Sequence, residues 1–82
     1  MEVKKLKEYI VKAHETAETK GKFPKGIPSM YVFQELVMVY NGIVSGRTVE
    51  FICGDIVPIL DRCGIKYEEK GVGWIIKPEG VK

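Results

Sequence analysis

The sequence is poor in the residues that metal sites and nucleophilic enzymes use. Its 82 residues include only two cysteines, Cys53 and Cys63, and one histidine, His14. The cysteines are ten positions apart, with no second pair and no nearby histidine to complete the four ligands of a zinc site. No base is identifiable beside either thiol, as nucleophilic catalysis would require. We therefore expect a non-enzyme without metal or cofactor, with no small-molecule ligand evident, in which both cysteines are packing residues and His14 is structural.

The chain also lacks long hydrophobic runs and a large excess of one charge. No segment approaches the roughly 18 apolar residues of a membrane span, and residues 1–20 contain no continuous apolar run of the kind found in signal peptides. Two cysteines do not make a disulfide framework, so a reduced, cytoplasmic protein is expected. The net charge of +2 is too small to indicate a nucleic-acid binder by itself. The basic excess lies in residues 1–25, which hold seven Lys against four Glu.

What remains is typical of one small globular domain over residues 1–82, with 45% hydrophobic residues. A chain this short buries only about 60% of the surface that it exposes when unfolded. Residues 1–21 are predicted as an amphipathic helix, because apolar residues recur there at spacings of three and four. Gly21 suits a left-handed helix end. Residues 22–28 then form a loop with two prolines, which Phe23 and Ile27 attach to the core.

Residues 29–41 are predicted as a second helix, with Ser29 as its N-cap. Its sequence is unusually apolar, which predicts burial on most sides. A β-hairpin over residues 36–44 is the alternative, because Asn41-Gly42 between β-formers is a strong hairpin signal. Helical spacing and segment length favour the helix, and the alternative stays open at this point.

Residues 45–63 are predicted as a kinked or broken helix. Val49, Ile52, Ile56, Leu60 and Cys63 share one helical face, but Pro58 would remove a hydrogen bond from a continuous helix at a cost of about 3 kcal/mol. Either the helix kinks there, or it restarts at Asp55 with Pro58 in its first turn, where a missing donor costs nothing. In the second case residues 47–53 can be a strand.

Residues 65–77 are predicted as a β-hairpin, followed by a polar tail at 78–82. With Lys70-Gly71 at the turn, Tyr67 faces Trp74 and Ile65 faces Ile76, all on one side. That places Trp74 in the core rather than on a nucleic-acid base. Glu68 and Glu69 are neighbours on a strand and point to opposite faces, so they are not a paired acid and base.

The order of helix, loop, helix, helix and hairpin resembles a winged helix-turn-helix domain. The stretches "ELVMVYNGIVSGRTV" and "LDRCGIKYEEKGVGWII", within residues 35–76, are similar to the second helix, turn, recognition helix and wing of GntR-type regulators. The resemblance implies a small α+β fold, three helices with a C-terminal β-hairpin, that binds double-stranded DNA. Gly46, an extra turn residue, and Pro58 depart from the family pattern.

The resemblance also implies where the contacts would lie. Arg47 and Thr48 would enter the groove, and Lys66, Lys70 and Lys77 would form the wing. Lysines of the first helix would contact flanking phosphate: Lys4, Lys5, Lys7 and Lys12.

A protein-interaction module of the same fold is the alternative function. Acidic residues such as Glu50 and Asp55 stand where DNA would be bound, and they oppose phosphate. The partner would then be a protein that contacts exposed apolar residues such as Phe51, Ile75 or Tyr31. A homodimer through the apolar second helix is one form of this alternative.

Overall fold

Three helices and a three-stranded antiparallel sheet make up the part of the chain that the structure, a computed structural model, describes, which is residues 2–77. The predicted mixed α+β class is thus confirmed, while the tail predicted at 78–82 lies outside the described residues. The elements in chain order are α1 Glu2–Lys20, α2 Met30–Val44, β1 Val49–Phe51, α3 Ile56–Cys63, β2 Glu68–Lys70 and β3 Gly73–Ile76.

The first helix and its loop follow the predicted pattern. Gly21 has a φ of +74° and donates its N–H to the carbonyl of Ala17 at 2.9 Å, which is the left-handed ending that glycine allows. Phe23 stacks on Phe33 of α2, with ring centroids 4.9 Å apart, and Ile27 is buried. These two residues hold the loop against the core.

The second helix is longer than predicted. Ser29 accepts a hydrogen bond from the Val32 N–H, as an N-cap does. The helix then continues through Asn41-Gly42 to Val44, so the alternative hairpin over residues 36–44 is wrong. Gly42 lies directly against Val49 of β1, where a Cβ would collide with the valine side chain. This glycine therefore lets a helix and a strand pack closely rather than form a turn.

The segment 45–63 is not one helix. It forms the short strand β1 and then α3, which begins at Ile56 after Asp55 in the N-cap position. Pro58 lies in the first turn of α3, where its missing N–H has no partner to lose. The restart interpretation is therefore confirmed, although the Asp55 side chain makes no capping hydrogen bond. Gly64 ends α3 with a φ of +73°.

β3 is the central strand, with β1 on one side and β2 on the other. In the hairpin Lys70 faces Gly73 and Glu69 faces Trp74, so Gly71-Val72 is the turn. The predicted pairing of Tyr67 with Trp74 is therefore wrong by two residues. Gly71 has a φ of +59°, and no described residue other than glycine has a positive φ, so the φ of Val72 is negative. A positive φ at the first turn residue alone is the pattern of a type II′ turn. A shift of two preserves which side chains share a face.

The apolar face of β3 pairs with β1 rather than within the hairpin. Trp74 faces Phe51 and Ile76 faces Val49, and the Phe51 and Trp74 rings stack at 5.5 Å. Ile65, predicted opposite Ile76, is buried just after α3 and outside any strand. Trp74 is half-buried and packs against the core, whose most enclosed large side chains are Leu6, Leu36, Ile56, Leu60, Ile76 and Val39.

Candidate interaction surface

The structure does not gather the predicted DNA-contact residues on one recognition helix. Arg47 and Thr48 are exposed, but they lie in the link between α2 and β1. Phe51, predicted as a partner contact, is only 2% exposed because it packs in the core beside Trp74 of β3. Phe51 therefore cannot contact a partner in this fold, and Arg47 and Thr48 are not carried on a helix.

Two of the three predicted wing lysines are held in ion pairs. Lys70 Nζ lies 3.3 Å from Glu50 Oε2, and Lys77 Nζ lies 3.5 Å from Glu68 Oε2. All four side chains are about half-exposed or more, so these pairs contribute little to stability. They do place a carboxylate beside each ammonium group, which weakens the electrostatic attraction of this face for phosphate. Lys66 is exposed, with no ion pair to the residues that the structure describes.

The lysines of α1 are exposed positive charges. Lys4, Lys5 and Lys12 are exposed, and none of them is ion-paired within residues 2–77. Glu8 and Glu15 are exposed on the same helix and interrupt the basic surface. The outward side of α1 is therefore mixed in charge and strongly hydrated.

The outward side of α2 has a different character. Eight outward positions along this helix, at 3.6 residues per turn, span about 140° of its circumference. Seven of them are exposed, and the eighth, Val37, is half-buried. None of the eight carries a charge. We call them the α2 arc: Met30, Tyr31, Gln34, Val37, Met38, Asn41, Val44 and the C-cap residue Ser45.

Apolar exposure is concentrated on this arc. Residues 2–77 contain seven exposed large apolar side chains, and four of them belong to the α2 arc. Tyr31 is the most open of the four, at 84%. Single exposed apolar residues are ordinary, but an apolar group without charge on one helix face is a candidate interaction surface.

The one charged residue of α2 is turned away from the arc. Glu35 Oε1 accepts the backbone N–H of Cys53 at 2.9 Å, which fixes the chain that leaves β1 against the helix. Because this carboxylate is used inside the fold, it contributes no charge to the outward side of α2.

An open groove of about 540 Å³ runs beside the arc, between α2 and the start of β1. Gln34, Met38 and Asn41 form the helix side, while Arg47 and Thr48 lie on the strand side. Arg47 and Thr48, which were predicted to enter the DNA groove, thus border a concave surface of the protein. The opposite wall of that surface is the uncharged helix. Arg47 is the one basic group among the residues lining it.

The two cysteines and the one histidine lie outside this surface. Burial raises the pKa of the Cys63 thiol, with Lys5 acting in the opposite direction, and burial is also the main cause that raises the pKa of Cys53. His14 Nδ1 lies 2.9 Å from Glu18 Oε1 on the surface of α1. The described residues contain no group of three His, Cys, Asp or Glu side chains that could hold a metal ion.

Part of this surface was predicted from the sequence. Tyr31 was predicted as a partner contact, and the second helix as unusually apolar. Met38 and Val44 were missed, because burial was expected around most of the helix and its end was placed at residue 41. The absence of charge at every third or fourth position from 30 to 44 was the available signal.

None of the described helices is both long and apolar enough to cross a membrane; the cytoplasmic location expected from the sequence stays a prediction. Protein-family models, curated proteins and solved structures were all compared with the chain, and none of them matches it.

Proposed function

We propose that this protein is a non-enzymatic interaction module whose binding surface is the α2 arc. The observation that supports the proposal is the complete absence of charge from the exposed side of a helix, in a chain with 29% charged residues. Methionine and tyrosine are favoured at binding surfaces, since methionine adapts its shape and tyrosine combines a large apolar area with a polar end.

The proposed fold is winged-helix-like, with the module using its second helix rather than a recognition helix. Two features support this choice over a wing contact. The segment after α2 forms the strand β1. Arg47 and Thr48, the residues predicted to enter the DNA groove, therefore lie on the link before a strand and not on a helix. The carboxylates of Glu50 and Glu68 lie beside the hairpin lysines.

The experiment compares two matched surface variants. Met38→Glu places a charge in the α2 arc, whereas Val11→Glu places one on α1; the two parent side chains are 49% and 47% exposed. Each of the three proteins is immobilised on its own column. The columns with the native chain and Val11→Glu should retain the same partner, and the column with Met38→Glu should not retain it. Retention that is equal for all three proteins would contradict the proposal.

Binding of double-stranded DNA is the second candidate, and the resemblance to GntR-type regulators suggests it. The specific observation in its favour is the exposed, unpaired state of Lys4, Lys5 and Lys12 in the described structure. Phosphate contacts of this kind give affinity without sequence specificity and are salt-dependent.

A filter-binding titration against random duplex at rising salt tests this candidate. Replacing Lys4, Lys5 and Lys12 together by Gln should weaken binding and reduce the salt slope by about 2.7, at roughly 0.9 per phosphate contact. The control replaces Lys70 and Lys77 by Gln, which removes two lysines already paired with carboxylates. An equal loss from both variants, or no binding at low salt, would contradict a role for α1.

A further inference from the structure

We propose that the occupant of the α2 arc is a second copy of this chain, packed as an antiparallel helix pair about a two-fold axis. This inference rests on the proposed function, because it names the partner of the same surface. A two-fold contact uses the same patch on both copies, so the patch must complement itself.

Charge is the first argument for a second copy. Each chain carries a net charge of +2, so two copies repel one another on average. The α2 arc is the helix face on which this repulsion is absent, because none of its eight positions is charged. An acidic or basic partner would gain nothing from such a face.

The order of residues along the arc is the second argument. In an antiparallel pair whose axis passes between Val37 and Met38, Gln34 of each copy meets Asn41 of the other. Both side chains are amides with a donor and an acceptor, so each pair can satisfy itself. Tyr31 then lies beside Ser45 of the other copy along one edge of the contact, and Val44 lies beside Met30 of the other copy along the opposite edge.

The size of the arc sets the expected strength. α2 has 15 residues and is about 22 Å long, and the eight positions of the arc are well below the 20–30 residues per side of a standard stable interface. We therefore expect a weak, concentration-dependent dimer with a dissociation constant between about 10 µM and 1 mM.

Sedimentation equilibrium over a concentration series tests the pair. The average mass of the native chain should rise from 9.3 kDa toward twice that value. Met38→Glu should raise the dissociation constant by at least about tenfold, because a charge would be buried without a partner. Val11→Glu should leave it unchanged. A native chain that stays monomeric at about 1 mM, or equal association of the two variants, would overturn the proposal.

A charge-swap pair tests the antiparallel register. Gln34→Lys and Asn41→Glu are made in separate chains, which should each associate more weakly than the native chain. Mixed in equal amounts, they should associate more tightly than either does alone, because the new charges then face each other. A mixture no tighter than its components would overturn the register. Both positions are exposed, so these variants keep the test available if Met38→Glu loses helix by circular dichroism.

The two proposals fail in different ways. A monomer in sedimentation, combined with partner retention that Met38→Glu abolishes, would overturn the homodimer and keep the interaction module. A monomer with no retention that depends on Met38 would overturn both.

Discussion

α1 and α2 bury faces of similar composition, but their exposed faces differ in charge. Each places a fully enclosed leucine in the core, Leu6 in α1 and Leu36 in α2. Outward, α1 shows lysines and glutamates, whereas α2 shows methionine, tyrosine, valine and neutral amides. The core requirements of the two helices are therefore alike, and they do not explain why one outward face is uncharged.

The inward residues of both helices stabilise the fold, whereas the outward residues determine what each helix surface can bind. Charged residues on α1 keep that helix hydrated and oppose close approach by another apolar surface. On α2 the single carboxylate, Glu35, is bonded to the Cys53 backbone. Substitutions of the core leucines, of Glu35, and of Lys5 and Cys63 test this contrast.

The largest expected effect is on the shared inward faces. Leu6→Ala and Leu36→Ala should each lower the free energy of unfolding by about 2–5 kcal/mol, since both side chains are fully buried and each change leaves a cavity. Urea denaturation followed by circular dichroism measures this. A cost below about 1 kcal/mol for Leu6 alone would show that α1 docks more loosely than α2, and the inward similarity would be lost.

The carboxylate of Glu35 should have an intermediate effect. Glu35→Ala removes the acceptor of the Cys53 N–H, and we expect a loss of about 1.5 kcal/mol of unfolding free energy. Glu35→Gln keeps an acceptor oxygen and should lose less than half of that.

Glu8→Ala on α1 is the matched control, because Glu8 is exposed and makes no ion pair within residues 2–77. Its unfolding free energy should stay within about 0.5 kcal/mol of the native chain. If the Glu8 and Glu35 variants cost the same, the single charge of α2 has no special inward use.

The smallest expected effect is a loss of stability at alkaline pH. Burial raises the pKa of Cys63 in the fold, so above the ordinary thiol pKa of about 8.5 the unfolded chain loses this proton first. The free energy of unfolding is therefore unaffected by this group below about pH 8.5, and it falls as pH rises through the raised value.

Lys5 provides the control for that slope. Its positive charge acts to lower the pKa of Cys63, so Lys5→Gln should steepen the alkaline loss, and Cys63→Ala should remove this contribution. Urea titrations at about pH 7.5, 8.5 and 9.5 stay below the tyrosine range. An unchanged slope in Lys5→Gln would show that the charges of α1 do not reach its buried side.

Local chemistry made much of the fold predictable. The apolar spacing of α1, its glycine ending and the Ser29 cap are all properties of nearby residues. The position of Pro58 in a first helical turn follows in the same way, as one of two solutions that its missing N–H allows. These features depend on few residues and little on what packs against them.

The parts that were not predicted depend on distant partners. Gly42 lies inside the helix at a position where Val49 leaves no room for a Cβ, and periodicity contains no such information. The hairpin register depends on Phe51 and Val49 taking the apolar side of β3, although the sequence offers Tyr67 and Ile65 for the same role. The α2 arc was predicted only in part because the helix end had been placed three residues early.

The central position of β3 also determines how the protein must fold. β1 and β2 contact no strand but β3 in this sheet, and β1 is separated from β3 by more than twenty residues that include all of α3. Pairing them closes a long loop, which costs chain entropy before any contact is gained. We therefore expect the helices to associate first and the sheet to form last, as the slow step. A chain shortened to residue 72 would keep the sequence of α2 and have no sheet for it to pack on.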